Sequence, residues 1–107
     1  MTKIKAEKEG NDIFVYAYEG GQPIGFAIGE VSGDQVKLET IHVDACRRGE
    51  GIGSSLLTAF ISQARAGGIK LLSVEMKTEF GLNVDKTAGF YRKHGITVDG
   101  EKLKMDF

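Results

Sequence analysis

The chain has 107 residues, a formal net charge of −1 and 27% charged residues, an ordinary folded composition for one domain with no overall electrostatic footprint for nucleic acid. No apolar run approaches the roughly 18 residues of a membrane span, and Met1-Thr2-Lys3-Ile4-Lys5 lacks the apolar core of a signal peptide. A single cysteine, Cys46, excludes an internal disulfide framework and a multi-cysteine zinc site, so the expectation is a cytoplasmic, single-domain protein spanning 1–107, without metal, nucleic acid or membrane among its partners.

The first 43 residues read as strands joined by tight turns. Thr2 to Lys8 alternates weakly, with Ile4 and Ala6 on one face. Gly10-Asn11-Asp12 is a turn signal. Ile13 to Tyr18 is rich in β-branched and aromatic residues and reads as a strand. Gly20-Gly21-Gln22 turns again, and Pro23 to Val31 is a third strand, with proline tolerated at its start. Ser32-Gly33-Asp34 leads into a fourth strand, Val36 to Val43. Such short connections imply antiparallel neighbours, hence a meander.

The period then changes. Ile52, Leu56, Leu57, Phe60, Ile61 and Ala64 fall at helical spacing, which predicts a helix from about Gly51 to Ala66, stopped by Gly67-Gly68. Ile69 to Met76 contains a compact apolar strand. Lys77 to Leu82 is loop-like. A second helix is expected from about Val84 to His94, capped by Asn83 or Asp85, with Gly95 at its end. Val98 to Gly100 should turn, and Lys102 to Phe107 alternates as a last strand. The order is ββββ-α-β-α-β, an α+β fold with a mixed twisted sheet flanked by two helices.

The most informative segment is Val43-Asp44-Ala45-Cys46-Arg47-Arg48-Gly49-Glu50-Gly51-Ile52-Gly53-Ser54. A strand ends, a glycine-rich turn follows, and a helix begins. The first turn of a helix carries N–H groups without intrahelical partners and a partial positive charge. Glycines let a phosphate approach those groups closely, and Arg47 and Arg48 stand beside the turn. A simple helix cap accounts for the same glycines. A dinucleotide fingerprint is approximated by Gly49-x-Gly51-x-x-Ser54, with Glu75 about 20 residues on. Its context fails, because a first half made of hairpins supplies no further parallel βαβ units.

The segment resembles motif A of the GCN5-related N-acetyltransferases (GNAT), Arg/Gln-x-x-Gly-x-Gly/Ala, here Arg48-Gly49-Glu50-Gly51-Ile52-Gly53. Ala88-Gly89-Phe90-Tyr91-Arg92-Lys93-His94-Gly95-Ile96 resembles the family's motif B. The matching stretches run from Val36 to about Ile96. Three departures stand out. Lys8 to Ile13 leaves space only for a turn where the family usually places helices between its first two strands. Thr78 to Leu82 looks inserted, which shifts the family's usual asparagine to Asn83. Ile96 replaces the usual phenylalanine after Gly95.

The resemblance implies acetyl-CoA as cosubstrate and an amine acceptor, either a small molecule or a protein. It implies coenzyme binding by Arg48, Gly49, Gly51, Ile52, Gly53 and Ser54, with the pantetheine arm paired to the backbone of Ile41 and Val43 as an added strand would be. The N–H of Val43 is then the candidate oxyanion donor. Tyr91 is the candidate acid for the departing thiolate, since a phenol's ordinary pKa of about 10 exceeds a thiol's roughly 8.5. Val84, Ala88 and Tyr91 also share one helix face, so a core role for Tyr91 is compatible with that one.

Glu39 is the candidate base. It stands four residues before Val43, so alternation puts both on one sheet face and His42 on the other. Glu75, on the next strand, is a further carboxylate in reach of the same task. Cys46 beside two arginines invites a nucleophile reading, but no histidine is fixed next to it, and a small buried thiol is the commoner case. Lys86, Arg92, Lys93 and His94 would meet a coenzyme 3′-phosphate or complement the helix dipole. Two functions follow: direct N-acetyl transfer, or a non-catalytic module that binds CoA or acetyl-CoA and regulates a partner. The chain is expected to be a monomer or a homodimer.

Overall fold

The computed structural model describes residues 2–44, 51–75, 91–99 and 102–107. Strands β1 (Lys3–Glu9), β2 (Asp12–Glu19), β3 (Gln22–Ser32) and β4 (Gln35–Val43) precede helix α1 (Ile52–Ala66), followed by β5 (Leu71–Glu75), β6 (Thr97–Asp99) and β7 (Lys102–Asp106). They form one seven-stranded sheet in the order β1-β2-β3-β4-β5-β7-β6. The first four strands are the expected meander. Glycines with positive φ stand in each of its turns: Gly10 (59°), Gly20 and Gly21 (60° and 78°), and Gly33 (64°). These are the values that let a two-residue connection match the twist of its flanking strands. The β1–β2 link is thus a hairpin turn, with no helix between them.

Helix α1 buries the six residues expected from its period: Ile52, Leu56, Leu57, Phe60, Ile61 and Ala64. They pack with Ile13, Val15, Ala17, Ala27, Val36, Leu38, Leu72 and Val74 of the sheet. The approach is close. A Cβ on Gly29 would lie 2.4 Å from the Phe60 ring and 2.6 Å from the Lys37 carbonyl, so only glycine fits beneath the helix there. The helix ends as its two glycines predict. Ile69 N–H donates to the Ala64 carbonyl and Gly68 N–H to that of Arg65, with Gly68 at φ 79°, a Schellman motif. The Arg65 guanidinium sits 5.1 Å from the centre of the Phe107 ring.

One expectation needs amendment. The turn expected at Val98–Gly100 gives way to β6, in which Val98 pairs with Leu103 and Asp99 with Lys102. A three-residue strand is too short to show an alternating pattern, and the β-branched Thr97-Val98 pair was its only sign. Of the expected second helix, residues 91–93 are helical. Val84 to Phe90 lies outside the described residues. Gly95 (φ 84°) ends that helix as expected, with Ile96 N–H donating to the Tyr91 carbonyl and Gly95 N–H to that of Arg92.

Candidate functional site

The central strand pair differs from all its neighbours. β4 and β5 run parallel, whereas every other neighbouring pair is antiparallel. This rules out a run of parallel dinucleotide-binding units among the described strands. β4 pairs with β5 only from Gln35 to Leu38, opposite Leu71 to Val74. Beyond Leu38 its partner among the described strands is β3 alone.

A β-bulge sits at that boundary. Leu38 pairs with Gly29 and Thr40 with Ile28, so Glu39 is the extra residue. A bulge bends its strand and ends regular pairing. It also resets the alternation. Val36 and Leu38 are buried under α1, and the residues that continue their face are Ile41 and Val43, packed at the margin of the same core. Glu39 and Thr40, both exposed, take the place of one residue on the opposite face. The expected shared face for Glu39 and Val43 is therefore wrong: the inserted residue sets Glu39 with His42 instead. His42 lies 5.4 Å from the Phe26 ring, and its Nε2 is 3.7 Å from Asp44 Oδ1.

The backbone direction of β4 beyond Glu39 follows from one hydrogen bond. Asp44 N–H donates to the Ile24 carbonyl across β3. Hydrogen-bonding direction alternates along an antiparallel strand. His42 therefore turns its backbone groups to β3 as well, and Ile41 and Val43 turn theirs to the other edge of β4.

The same end of the sheet carries the start of α1. Gly51 is its N-cap at φ 80°, a left-handed value that favours glycine. Among the described residues no side chain caps the helix, and no acidic residue stands in its first turn. The first N–H groups, those of Ile52, Gly53 and Ser54, carry the partial positive charge that favours an anion. Among the described residues, a Cβ on Gly51 would meet nothing within 4 Å. Ser55 turns its hydroxyl back onto the Gly51 carbonyl at 3.2 Å.

Ser54 and His94 meet here. His94 Nε2 lies 3.0 Å from Ser54 Oγ in a part-buried contact, tying the end of the second helix to the first turn of α1. No local pattern signals a contact between residues forty apart. Tyr91, one helical turn before His94, is 8% exposed. Its burial pushes the phenol above its ordinary pKa near 10, so it holds its proton throughout the physiological range. Arg92 and Lys93 are exposed. Glu75 closes β5 opposite Lys102. Cys46, Arg47, Arg48, Gly49 and Lys86 lie outside the described residues.

A family model for the acetyltransferase (GNAT) domain matches residues 9–96. The chain belongs to the GNAT acetyltransferase family. Its relatives include the N-alpha-acetyltransferase RimI of Mycobacterium tuberculosis, 32% identical over 83 residues, which are 74% of this chain and 52% of that protein. The chain thus spans about half the length of this curated relative. A GNAT acetyltransferase from Elizabethkingia anophelis with acetyl-CoA bound superposes with a TM-score of 0.80 at 14% identity, covering 99% of this chain and 98% of that one. The ribosomal-protein-S18-alanine N-acetyltransferase of Escherichia coli gives 0.76 at 20% identity, with 97% and 90% covered. The PaiA N-acetyltransferase of Thermoplasma acidophilum in complex with coenzyme A gives 0.75 at 19% identity, with 91% and 62% covered. The GNAT fold is therefore built here without helices between β1 and β2, as the sequence implied.

Proposed function

We propose that this protein is an acetyl-CoA-dependent N-acetyltransferase that moves an acetyl group directly to a primary amine on a small molecule or a protein. The observation that carries the reading is the bulge at Glu39, beyond which β4 pairs with β3 alone among the described strands and directs the backbone of Ile41 and Val43 to its other edge, at the end of the sheet where α1 begins. The names of two relatives, an N-alpha-acetyltransferase and a ribosomal-protein alanine acetyltransferase, favour a protein α-amine as the acceptor.

Acetyl-CoA supplies the activated acetyl thioester. In our reading, Arg48 and the N–H groups of Gly49, Gly51, Ile52, Gly53 and Ser54 hold its pyrophosphate. Ile41 and Val43 pair with the pantetheine arm, and Val43 N–H donates to the carbonyl oxygen as that oxygen gains charge. Glu39 takes the proton that the amine loses, from the sheet face it shares with His42. Tyr91 Oη gives its proton to the departing sulfur, and the raised pKa of its buried phenol ensures that the proton is present.

Calorimetric titration with acetyl-CoA, with NAD as comparator, tests the binding half. Acetyl-CoA should bind and NAD should not, with affinity weakened at least about tenfold in Arg48→Ala. Absence of acetyl-CoA binding would overturn the proposal. Turnover of an amine that falls about a hundredfold in Tyr91→Phe, with acetyl-CoA binding kept, tests the chemistry. The β1–β2 hairpin favours one other reading, since it leaves no helix there to wall an acceptor. Binding without turnover of any amine would select that reading, a module that senses the coenzyme.

A further inference from the structure

Strand β1 is one edge of the sheet, and all seven of its residues are exposed. Open edges invite pairing with another chain, and proteins blunt them with charged side chains, proline, bulges or a covering element. β1 has no proline and no bulge, so its five charged side chains decide which partner strand the edge accepts. Its register with β2 is unbroken from Lys3 opposite Tyr18 to Glu9 opposite Asp12. Ile4, the exposed large hydrophobic side chain among the described residues at 37%, lies on this edge.

The order of charge on β1 identifies the partner. Lys3, Lys5, Glu7 and Glu9 share one sheet face, two cations followed by two anions. Read in reverse, the same strand presents two anions followed by two cations. We infer that β1 pairs antiparallel with β1 of a second copy of this chain, about a two-fold axis at Ala6. That register sets Lys3 against Glu9 and Lys5 against Glu7 of the second copy, and the reverse, so every facing charge meets its opposite. A slip of two residues either way would put Lys5 on Lys5 or Glu7 on Glu7 at the axis. A parallel arrangement in register would stack like on like throughout. Directly opposed like charges destabilise a strand pair, so the charge order specifies this register against its neighbours.

The backbone agrees. Val31 N–H donates to the Asn11 carbonyl, which turns the odd-numbered residues of β2 toward β3. The even-numbered residues of β2 therefore face β1, bonding to Lys3, Lys5, Glu7 and Glu9. Ile4, Ala6 and Lys8 are left with N–H and C=O directed outward. About the proposed axis, Ala6 exchanges both bonds with its symmetry mate, and Ile4 does so with Lys8 of the second copy. The charged pairs then occupy the positions between these bonds, where facing Cα atoms approach to about 4.5 Å. Lys5 already holds Glu7 of its own strand at 2.9 Å, so the joined strands carry a ladder of alternating charge. Ile4 lies beside the aliphatic stem of the facing Lys8. An isologous contact of this kind closes on itself. Its area is smaller than a standard interface, which makes it concentration-dependent.

Sedimentation velocity over a dilution series, with reductant present because of Cys46, reads the proposal directly. The protein should dimerise, less so as salt is raised. The pair Lys3→Glu with Lys5→Glu should raise the dimer dissociation constant at least about tenfold, and so should the pair Glu7→Lys with Glu9→Lys. An equimolar mixture of the two should restore a one-to-one heterodimer. Ala6→Pro, which removes an outward N–H that β2 does not use, should also give monomer. Circular dichroism and a cooperative melting transition establish that each variant is folded. A monomer at every concentration would overturn the inference. So would a dimer indifferent to both charge reversals, or folded reversed variants that fail to combine.

Discussion

The two halves of β4 have the same neighbour on one side and different surroundings on the other. From Gln35 to Leu38 the strand is paired on both edges, and Val36 and Leu38 are each 1% exposed beneath α1. From Glu39 to Val43 it keeps β3, loses β5 among the described strands, and holds its side chains half-buried or exposed. The first half stabilises the sheet. The second is the one our proposal assigns to the coenzyme. One inserted residue separates them, so in that proposal a local irregularity divides a structural segment from a functional one.

Breaking the structural half should have the largest effect. Leu38→Ala is expected to cost about 3 kcal/mol, read by urea denaturation. Ile41→Ala, at the core margin, should cost about half as much, and acetyl-CoA affinity should change little because the backbone edge is retained. Equal costs at the two positions would erase the distinction.

Deleting Glu39 sharpens the comparison further. The deletion returns Val36, Leu38, Ile41 and Val43 to plain alternation without moving any of them to the other face. Stability should change by no more than about 1 kcal/mol, while acetyl-CoA affinity should fall at least about tenfold. Unaltered binding would mean that the bulge does not open the sheet.

The smallest effect concerns Tyr91, beside the site rather than in the sheet. Its folded pKa is raised by burial. The folded state therefore holds the proton more tightly than the unfolded state. The associated stability is fully present below the unfolded value near 10 and is lost as pH rises through the folded value. Denaturation at pH 7 and above pH 10 should show a steeper alkaline loss in the wild type than in Tyr91→Phe. Identical slopes would contradict the burial of the phenol.

Much of this architecture was legible in the sequence, because its signals are local. The helical stripe from Ile52 to Ala64, the glycine turns and both Schellman glycines each depend on a few adjacent residues. The bulge was legible too, though alternation counted from Val43 alone missed it. The apolar positions Val36, Leu38, Ile41 and Val43 change parity between the second and third, with the polar pair Glu39-Thr40 in the gap. The Ser54–His94 contact was not legible, because tertiary packing alone joins those two helix ends. The end of β4–β5 pairing at Leu38 is likewise a property of two strands that no single segment encodes.

The most direct test follows amide hydrogen exchange along β4 by NMR, with and without acetyl-CoA. The account predicts that Ile41 gains protection when acetyl-CoA is added, while Val36 and Leu38, already paired on both edges, exchange as before. Uniform change along the strand, or none at Ile41 despite binding, would contradict the assignment of its second half to the coenzyme.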